Sequence, residues 1–350
     1  MHPDDEQAVA ILGRYGLAGA GLHPVHTGNI NRSYLVSCDD GRRYILQRVN
    51  PMFAPSVHED IDAVTGHLRE RGLLTPVLVH TRDDELYVTT EKACWRLFDY
   101  ITGETHAAVT DAGMAYEAAA LLARFHHALL DLEHDFRHVR PAVHDTDRHL
   151  RNLRLALEQH AGHPLHGQAA ALADDILEHA QTLAGLPDVT PRKVHGDPKI
   201  TNIIFDSATT RAKCLIDFDT LSVMPLYLEL GDALRSWCNP LGEDTPQTHF
   251  SLPLFHAAVR GYAAEAAGFV TAAEWRAFLP ATYRIYLELA ARFCADMLNE
   301  AFFNWDPRRF PSRARHNEVR ALGQLQAARS LLENYAAAQE ILEQAFGSQG

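Results

Sequence analysis

The chain of 350 residues has few cysteines and no long apolar run, and each shortage excludes a class of protein. The cysteines are scattered, odd in number and form no C-x-x-C pair, a pattern that favours reduced thiols in a cytoplasm over a disulfide framework. They are Cys38, Cys94, Cys214, Cys238 and Cys294. No stretch approaches the roughly 18 apolar residues of a membrane span. The acidic start lacks an apolar segment, so we expect no signal peptide.

Positive charge is also scarce. The net charge is −13 and the pI is about 5.9, which argues against nucleic acid and anionic membranes as partners. The 21 histidines include no H-E-x-x-H and no Cys/His cluster at zinc spacing. The adjacent His126 and His127 lie in an apolar helical pattern, which favours packing or surface histidines over metal ligands.

The most informative stretch is Val194–Asn202, in which Asp197, Lys199 and Asn202 have the spacing of a kinase catalytic loop. In such a loop the Asp accepts the proton of the attacking hydroxyl, the Lys faces the transferred phosphoryl group, and the Asn binds a metal ion. A hairpin with a capping Asn is the alternative. It leaves the order of these residue types unexplained, so the stretch predicts a kinase.

A second acidic segment follows an apolar strand. Cys214–Ile216 ends in Asp217, which is predicted to hold Mg²⁺ against the phosphates of a nucleotide. Asp219 is a second carboxylate that we expect to join the metal through water. Phosphoryl transfer needs this set because the protein contributes mainly positioning and neutralisation of charge.

These motifs, H-G-D-x-K-x-x-N followed by I-D-x-D-T and G-D-x-x-R, are similar to those of the aminoglycoside phosphotransferase and choline kinase superfamily. The N-acetylhexosamine 1-kinase group is the most similar, since it shares an early L-Q-R-[IV]-N strand and the last two long helices. The resemblance covers most of the chain. It implies an α+β, bilobal, protein-kinase-like fold with a small β-rich N-lobe and a large, mostly helical C-lobe. It also implies ATP and Mg²⁺ as cofactors and a sugar hydroxyl as acceptor.

The glycine-containing connection after Cys94–Asp99 is where we expect the boundary between an N-lobe of residues 1–100 and a C-lobe of residues 101–350. In the N-lobe, a turn between two strands could cover the phosphates with backbone N–H groups and polar side chains. Its members are Gly28, Asn31 and Ser33. A single glycine is equally typical of an ordinary hairpin.

The third strand carries Gln47 where kinases usually place a phosphate-binding Lys, and Arg48 comes next. Side chains alternate along a strand, so only one of the two can face the nucleotide. Either could replace the Lys. At the end of the last strand of this lobe, Phe98 or Tyr100 is predicted to line the adenine.

Three further features belong to the C-lobe. Asp232 is expected to brace the catalytic loop through backbone N–H bonds, and residues 239–248 form a polar loop that could act as a lid. Glu288, Arg292 and Asp296 share one face of a predicted helix over 272–303. A charge-paired surface is the alternative there. The resemblance implies that this helix encloses the sugar, with Arg292 and Asp296 as substrate contacts.

Two other functions stay open at this point. One is a kinase for a different small acceptor, such as an aminoglycoside, choline or another sugar. The other is a catalytically weak nucleotide-binding scaffold, suggested by the missing strand Lys. The first candidate is phosphorylation of the anomeric hydroxyl of N-acetylgalactosamine or N-acetylglucosamine. The pattern of residues leaves the oligomeric state open.

Overall fold

A computed structural model describes residues 3–25, 31–91, 93–138, 143–266 and 268–347. These residues form two lobes, of which the first contains an antiparallel sheet and the second consists mainly of helices. The α+β, bilobal fold predicted from the sequence is confirmed.

The sheet of the small lobe has five strands in the order β1-β2-β3-β5-β4. Every neighbouring pair is antiparallel. One helix, α2 (Val57–Glu70), lies between β3 and β4 in the chain. The strands are β1 (Gly21–Val25), β2 (Arg32–Ser37), β3 (Arg43–Val49), β4 (Val88–Thr89) and β5 (Cys94–Asp99).

Alternation along these strands gives the sheet two different faces. One face packs beside α1 (Pro3–Leu12), and its buried side chains are Tyr34, Val36, Leu46, Trp95 and Leu97. The opposite face carries Gln47 and its register partner Arg96. Phe98 lies on this second face and belongs to the main hydrophobic core, which continues into the large lobe. The second face is therefore the one that borders the cleft between the lobes.

The large lobe is organised around α9 (Phe278–Asn299), which is buried along most of its length. It packs against α4, α5, α6 and α10, while α3 packs against α7. The other helices are α3 (Ala112–Ala128), α4 (Thr146–Gln159), α5 (His166–Ala180), α6 (Leu226–Trp237), α7 (Leu252–Ala266), α8 (Ala272–Arg276), α10 (Arg313–Glu333) and α11 (Tyr335–Phe346).

Two short strand pairs hold the loops that carry the acidic motifs. β6 (Arg192–Val194) pairs with β9 (Ser222–Met224), and β7 (Ile203–Phe205) pairs with β8 (Ala212–Leu215). The loop after β6 contains Asp197 and the turn after β8 contains Asp217. Each strand of these pairs is only three or four residues long, and the two loops are thereby held without a larger sheet.

The connection between the lobes is attached to β7. Glu104 and Phe205 form an antiparallel bridge, with N···O distances of 2.9 and 2.8 Å between their backbones. Gly103 makes this close approach possible, since a Cβ at this position would collide with the carbonyl of Phe205. The sheet itself ends at Asp99. The lobe boundary at residues 100/101 remains a proposal.

The helix predicted over 272–303 is shorter and interrupted. Ala277 separates α8 from α9, and α9 ends at Asn299 because Glu300 adopts a left-handed backbone with φ of +48°. Among the described residues, no helix combines the length and apolar character that a membrane span requires. All five cysteines are free thiols.

We expect Gly261→Ala to destabilise the fold, because a Cβ on α7 would collide with the backbone carbonyl of Tyr116 on α3. Overpacking of this kind costs about 1–3 kcal/mol. The control is Gly66→Ala in α2, where nothing lies within 4 Å of the added Cβ. That change should stabilise by about 0.5–1 kcal/mol through helix propensity. Urea unfolding measures both, and an equal gain in the two variants would contradict the tight α3–α7 contact.

Candidate active site

The loop after β6 is turned by a glycine and fastened to the segment after β8. Gly196 has φ of +83°, and a Cβ here would collide with the carbonyl of Thr220. The Thr220 hydroxyl donates to the carbonyl of His195 at 3.1 Å. The buried ring of His195 in turn contacts the carbonyl of Ile216 at 2.9 Å. The two acidic motifs therefore lie in loops that are bonded to each other.

One carboxylate on α6 holds the backbone of this loop. The two oxygens of Glu229 accept hydrogen bonds from the backbone N–H groups of His195 and Gly196, each at 2.9 Å. Our prediction that Asp232 holds these amides is wrong. Asp232 lies one turn further along α6 and accepts from the guanidinium of Arg235 at 2.7 Å. The carboxylate of α6 that points at the loop is Glu229.

Glu229 is itself supported from the core. It is 1% exposed, and the ring of His126 lies 3.4 Å from it. The other ring nitrogen of His126 is 2.9 Å from the hydroxyl of Tyr262. His126 is therefore a buried packing histidine, one of the two interpretations that the sequence favoured, and it also orients the carboxylate that braces the loop.

Asp197 has one occupied and one open carboxylate oxygen. Its Oδ2 accepts from Lys199 Nζ at 2.5 Å and from Asn202 Nδ2 at 3.2 Å. Asn202 Nδ2 also donates to the backbone carbonyl of Asp197 at 2.9 Å. Oδ1 accepts no hydrogen bond from the described part of the chain. Burial opposes ionisation, but Lys199 outweighs it and lowers the pKa of Asp197.

Asp217 presents a second open carboxylate. Its backbone is left-handed, with φ of +68°, a strained conformation for a residue other than glycine. Its side chain accepts no hydrogen bond from the residues that the structure describes. Burial, followed by the charges of Asp219 and Asp197, raises the pKa of Asp217 to about 6. A carboxylate in these surroundings is stabilised by a bound cation.

The residues present fit a nucleotide-bound Mg²⁺. Asn202 donates through Nδ2, which leaves Oδ1 without a donor among the described residues, and Asp217 is equally open. No three His, Cys, Asp or Glu side chains in the described ranges are arranged to hold a metal ion by themselves. Mg²⁺ bound to a nucleotide takes one or two protein ligands and fills its other positions with phosphate oxygens and water.

Asp219 faces the small lobe. Both of its oxygens accept from the guanidinium of Arg96, and Oδ2 also accepts from Asn31 Nδ2 at 2.6 Å. Arg96 and Asp219 are each 1% exposed. We predicted Asp219 as a water-mediated metal ligand. The structure instead shows that both of its oxygens are occupied by an ion pair with Arg96, which connects the two lobes.

The remaining nucleotide-binding predictions fall on the sheet and on the turn between β1 and β2. Gly28 lies outside the described residues. Asn31 accepts from the backbone N–H of Asn50 at 2.9 Å, besides donating to Asp219. Ser33 accepts from Gln47 Nε2 at 3.1 Å. Ser33 and Gln47 are therefore bonded directly, and Asn31 is connected to them through Asp219 and Arg96. Their contacts with a nucleotide remain predictions.

The register of the sheet decides between Gln47 and Arg48. Gln47 pairs with Ser33 and Arg96 on the cleft face, whereas Arg48 pairs with Trp95 on the face beside α1. Gln47 Oε1 accepts from Arg96 Nε at 2.9 Å. The prediction of Arg48 as a nucleotide contact is therefore corrected, since alternation along β3 directs it away from the cleft.

Tyr100 lies directly after β5, in the connection between the lobes. The guanidinium of Arg43 stands 4.2 Å from the centre of its ring, and its backbone N–H donates to the carbonyl of Arg43 at 3.3 Å. The ring is half-buried. This position is compatible with the predicted role at the adenine, which stays a prediction.

Asp296 has a structural role at the end of α9. Its carboxylate accepts from the backbone N–H groups of Ala301, Phe302 and Phe303, at 2.9, 2.9 and 2.8 Å. Asn317 on α10 donates to it as well, at 2.9 Å. These four donors occupy both oxygens, so the prediction that Asp296 contacts substrate is corrected.

Arg292 remains the candidate acceptor contact on α9. Its guanidinium packs against the rings of Phe302 and Phe303, at 5.8 and 5.5 Å from their centres. Its nearest carboxylate is Glu288, at 3.8 Å. Glu288 is fully buried and bonds to His144 and Thr146, each at 3.1 Å. The row is thus a buried network rather than a charge-paired surface.

The loop over residues 239–248 is anchored on two sides. Glu243 forms an ion pair with Arg235 on α6. Asp244 accepts from Arg320 on α10 at 2.9 Å and from Arg309 at 3.0 Å. The buried ring of His316 lies 2.8 Å from Asp244. A role as a lid stays a prediction, and any opening would have to break these bonds.

Two residues of the site, Arg96 and Glu229, were not predicted from the sequence. Arg96 interrupts an otherwise apolar strand, Cys94-Trp95-Arg96-Leu97-Phe98, and Glu229 interrupts the apolar start of α6. A charged residue within a buried segment requires a partner, so both positions carried a signal. Neither sequence context indicates which partner it has.

The two-lobed fold and the acidic cleft define a phosphotransferase of the kinase-like class. The model of the phosphotransferase enzyme family matches residues 21–286. That match covers more than half of the chain, and the chain belongs to this family.

Solved structures agree in fold. An aminoglycoside phosphotransferase from Alicyclobacillus acidocaldarius is 18% identical with a TM-score of 0.63, covering 96% of each chain. A choline kinase from Cryptosporidium parvum is 11% identical with a TM-score of 0.64, covering 97% of this chain and 98% of that one. A spectinomycin phosphotransferase, solved with ADP and spectinomycin, is 12% identical with a TM-score of 0.54, covering 99% and 98%. At these identities the likeness shows the fold alone.

We expect Glu229→Gln to speed hydrogen exchange at the amides of His195 and Gly196, because a Gln oxygen can replace only one of the two carboxylate acceptors. Leaving a buried donor unpaired costs about 1–3 kcal/mol, which corresponds to exchange faster by about 5- to 150-fold. Mass spectrometry of a peptide spanning the loop measures it. Asp232→Asn is the matched control and should change exchange less than about twofold. A larger effect of the control would restore Asp232 as the brace.

Proposed function

We propose that this protein is an Mg²⁺-dependent small-molecule kinase that transfers the γ-phosphate of ATP to a sugar hydroxyl. The observation that carries the proposal is the geometry of Asp197. One of its oxygens is held by Lys199 and Asn202, and the other accepts no hydrogen bond from the described residues. A carboxylate fixed in this way can accept or orient the proton of an attacking hydroxyl.

The roles of the other residues follow from their charges. Lys199 is bonded to Asp197 and offsets negative charge on the transferred group. Asn202 Oδ1 and the Asp217 carboxylate would hold Mg²⁺, which supplies neutralisation of the phosphate oxygens when bound. Asn31, Ser33, Gln47 and Tyr100 border the space proposed for the nucleotide.

For the acceptor we propose the anomeric hydroxyl of N-acetylgalactosamine or N-acetylglucosamine. The resemblance of the motifs to the N-acetylhexosamine 1-kinase group supports this choice. An anomeric hydroxyl is more acidic than an ordinary alcohol, so a carboxylate of lowered pKa, such as Asp197, suffices as base. Arg292 offers donors for a carbonyl or hydroxyl oxygen of the sugar.

Two alternative functions, a kinase for a cationic acceptor and an inactive scaffold, predict different properties. Aminoglycosides and choline are cationic, and a guanidinium at the acceptor side disfavours them. A scaffold without activity was suggested by the missing strand Lys, but the presence of Asp197, Asn202 and Asp217 argues against it. A cytoplasmic location with reduced cysteines remains part of the proposal.

Asp197→Asn should lower kcat by about 10²–10⁴-fold, because the amide cannot accept the hydroxyl proton. Binding of Mg·ATP, measured by calorimetry, should stay within about twofold of the native value. The control is Asp174→Asn on the exposed side of α5, which we expect to leave kcat unchanged. Near-full turnover of the Asp197 variant would remove this residue from the proposed chemistry.

A coupled assay of ADP release should detect turnover with free N-acetylhexosamines and little with choline or aminoglycosides. Arg292→Gln should raise the acceptor KM about tenfold or more, since a hydrogen bond to a charged group contributes about 1.5–3 kcal/mol. The KM for ATP should not change.

Arg284→Gln is the control on the same helix, because that side chain bonds to the carbonyl of Ala184, away from the cleft. An equal rise of KM for both substrates would contradict the assignment of Arg292. Turnover with choline or an aminoglycoside but with no sugar would overturn the proposed acceptor. Mg·ATP binding without turnover on any acceptor would favour the scaffold.

A further inference from the structure

The small lobe contains a buried cation that the motif analysis did not assign. Kinases usually carry the phosphate-binding Lys on the third strand, and the corresponding position here is Gln47. The residue directly opposite Gln47 on β5 is Arg96. The two are joined by a hydrogen bond of 2.9 Å from Arg96 Nε to Gln47 Oε1. The positive charge is therefore on β5 instead of β3, at the position directly opposite Gln47.

The helix that follows β3 supplies no anion for this cation. Glu59 on α2 points outward and pairs with Arg137 at the surface. Its neighbour His58 is buried instead, and burial, together with the charge of Arg96, lowers the pKa of His58 to about 4. A histidine side chain carries no negative charge in either protonation state, so the charge on Arg96 must be compensated from elsewhere.

The compensating charge comes from the other lobe. Asp219 accepts from both terminal nitrogens of Arg96, and the pair is almost fully excluded from water. Asn31 Nδ2 donates to the same carboxylate at 2.6 Å. Removing one member of such a pair leaves an uncompensated buried charge, so the connection between β5 and the segment after β8 is strongly specified.

Asp219 is two residues from Asp217, which has a left-handed backbone and a carboxylate that accepts no hydrogen bond from the described residues. Anchoring Asp219 on the sheet limits how the short turn containing Asp217 can move relative to the small lobe. The position of the proposed metal ligand is thereby set from the lobe that would hold the nucleotide phosphates.

We propose that Arg96 is a positioning residue for Mg·nucleotide binding, acting through Asp219 on Asp217 in place of a lysine on β3. The inference rests on the proposed function and adds to it the residue that couples the sheet to the metal site. Arg96 is too deeply buried to reach a phosphate without breaking its bonds to Asp219 and Gln47. Its effect is therefore expected on the metal-dependent part of nucleotide affinity.

The test measures binding of the ATP analogue AMP-PNP by calorimetry, with saturating Mg²⁺ and with EDTA. We expect Arg96→Met to weaken binding with Mg²⁺ by tenfold or more and binding in EDTA by less than twofold. Arg32→Met is the matched control, since it removes an ion pair with Asp5 on the opposite face of the same sheet. It should change neither affinity.

Arg96→Lys keeps the charge but loses the two-pronged contact with Asp219, and we expect an intermediate loss of Mg²⁺-dependent affinity. It also covers the case in which Arg96→Met does not fold, as judged by thermal unfolding. Equal weakening with Mg²⁺ and in EDTA would show direct phosphate contact and overturn the positioning role. Unchanged affinity of a folded variant would also overturn it. Native protein that binds no Mg·nucleotide would instead refute the proposed function.

Discussion

The conformation of the loop after β6 depends on one buried carboxylate, which accepts hydrogen bonds from two backbone N–H groups. Glu229 is almost fully excluded from water, so its charge is stabilised only if both oxygens are bonded. The amides of His195 and Gly196 satisfy them. The sharp turn at Gly196 requires close contact with the segment after β8, so the bracing of one loop also fixes the other. Asp197 and Asp217 are therefore close enough for the charge of Asp197 to raise the pKa of Asp217.

Buried charges are paired throughout the site. Arg96 pairs with Asp219, Lys199 with Asp197, and Arg235 with Asp232 and Glu243. An unpaired ion would cost several kcal/mol in such surroundings, so each pair restricts where its elements can lie. Although the chain as a whole is strongly acidic, the positive and negative charges at this site therefore largely balance each other. Asp217 is the exception, since its carboxylate lacks a donor among the described residues, and that makes it the natural place for a cation.

Local features were predictable. Asp197, Lys199 and Asn202 lie within six residues of each other, and their contacts in the structure are made inside that segment. The helix predicted over 272–303 corresponds to α8 and α9, although Ala277 separates them. The two-lobed α+β architecture was predicted from the resemblance of the motifs to known kinases.

The sequence by itself therefore determined the residue types of the loop after β6, because short-range spacing specifies them, and it indicated the fold class through the resemblance of its motifs to a known family. Only the tertiary structure decided between neighbouring candidates of the same type. Glu229 rather than Asp232 reaches the loop, Gln47 rather than Arg48 faces the cleft, and Asp296 caps the end of α9. Asp296 bonds to backbone N–H groups five to seven residues further along the chain, where it turns after α9. The other two choices depend on which face of a helix or strand meets a distant partner, 34 residues away for Glu229 and His195 and 49 for Gln47 and Arg96, and that pairing is set by packing rather than by local sequence.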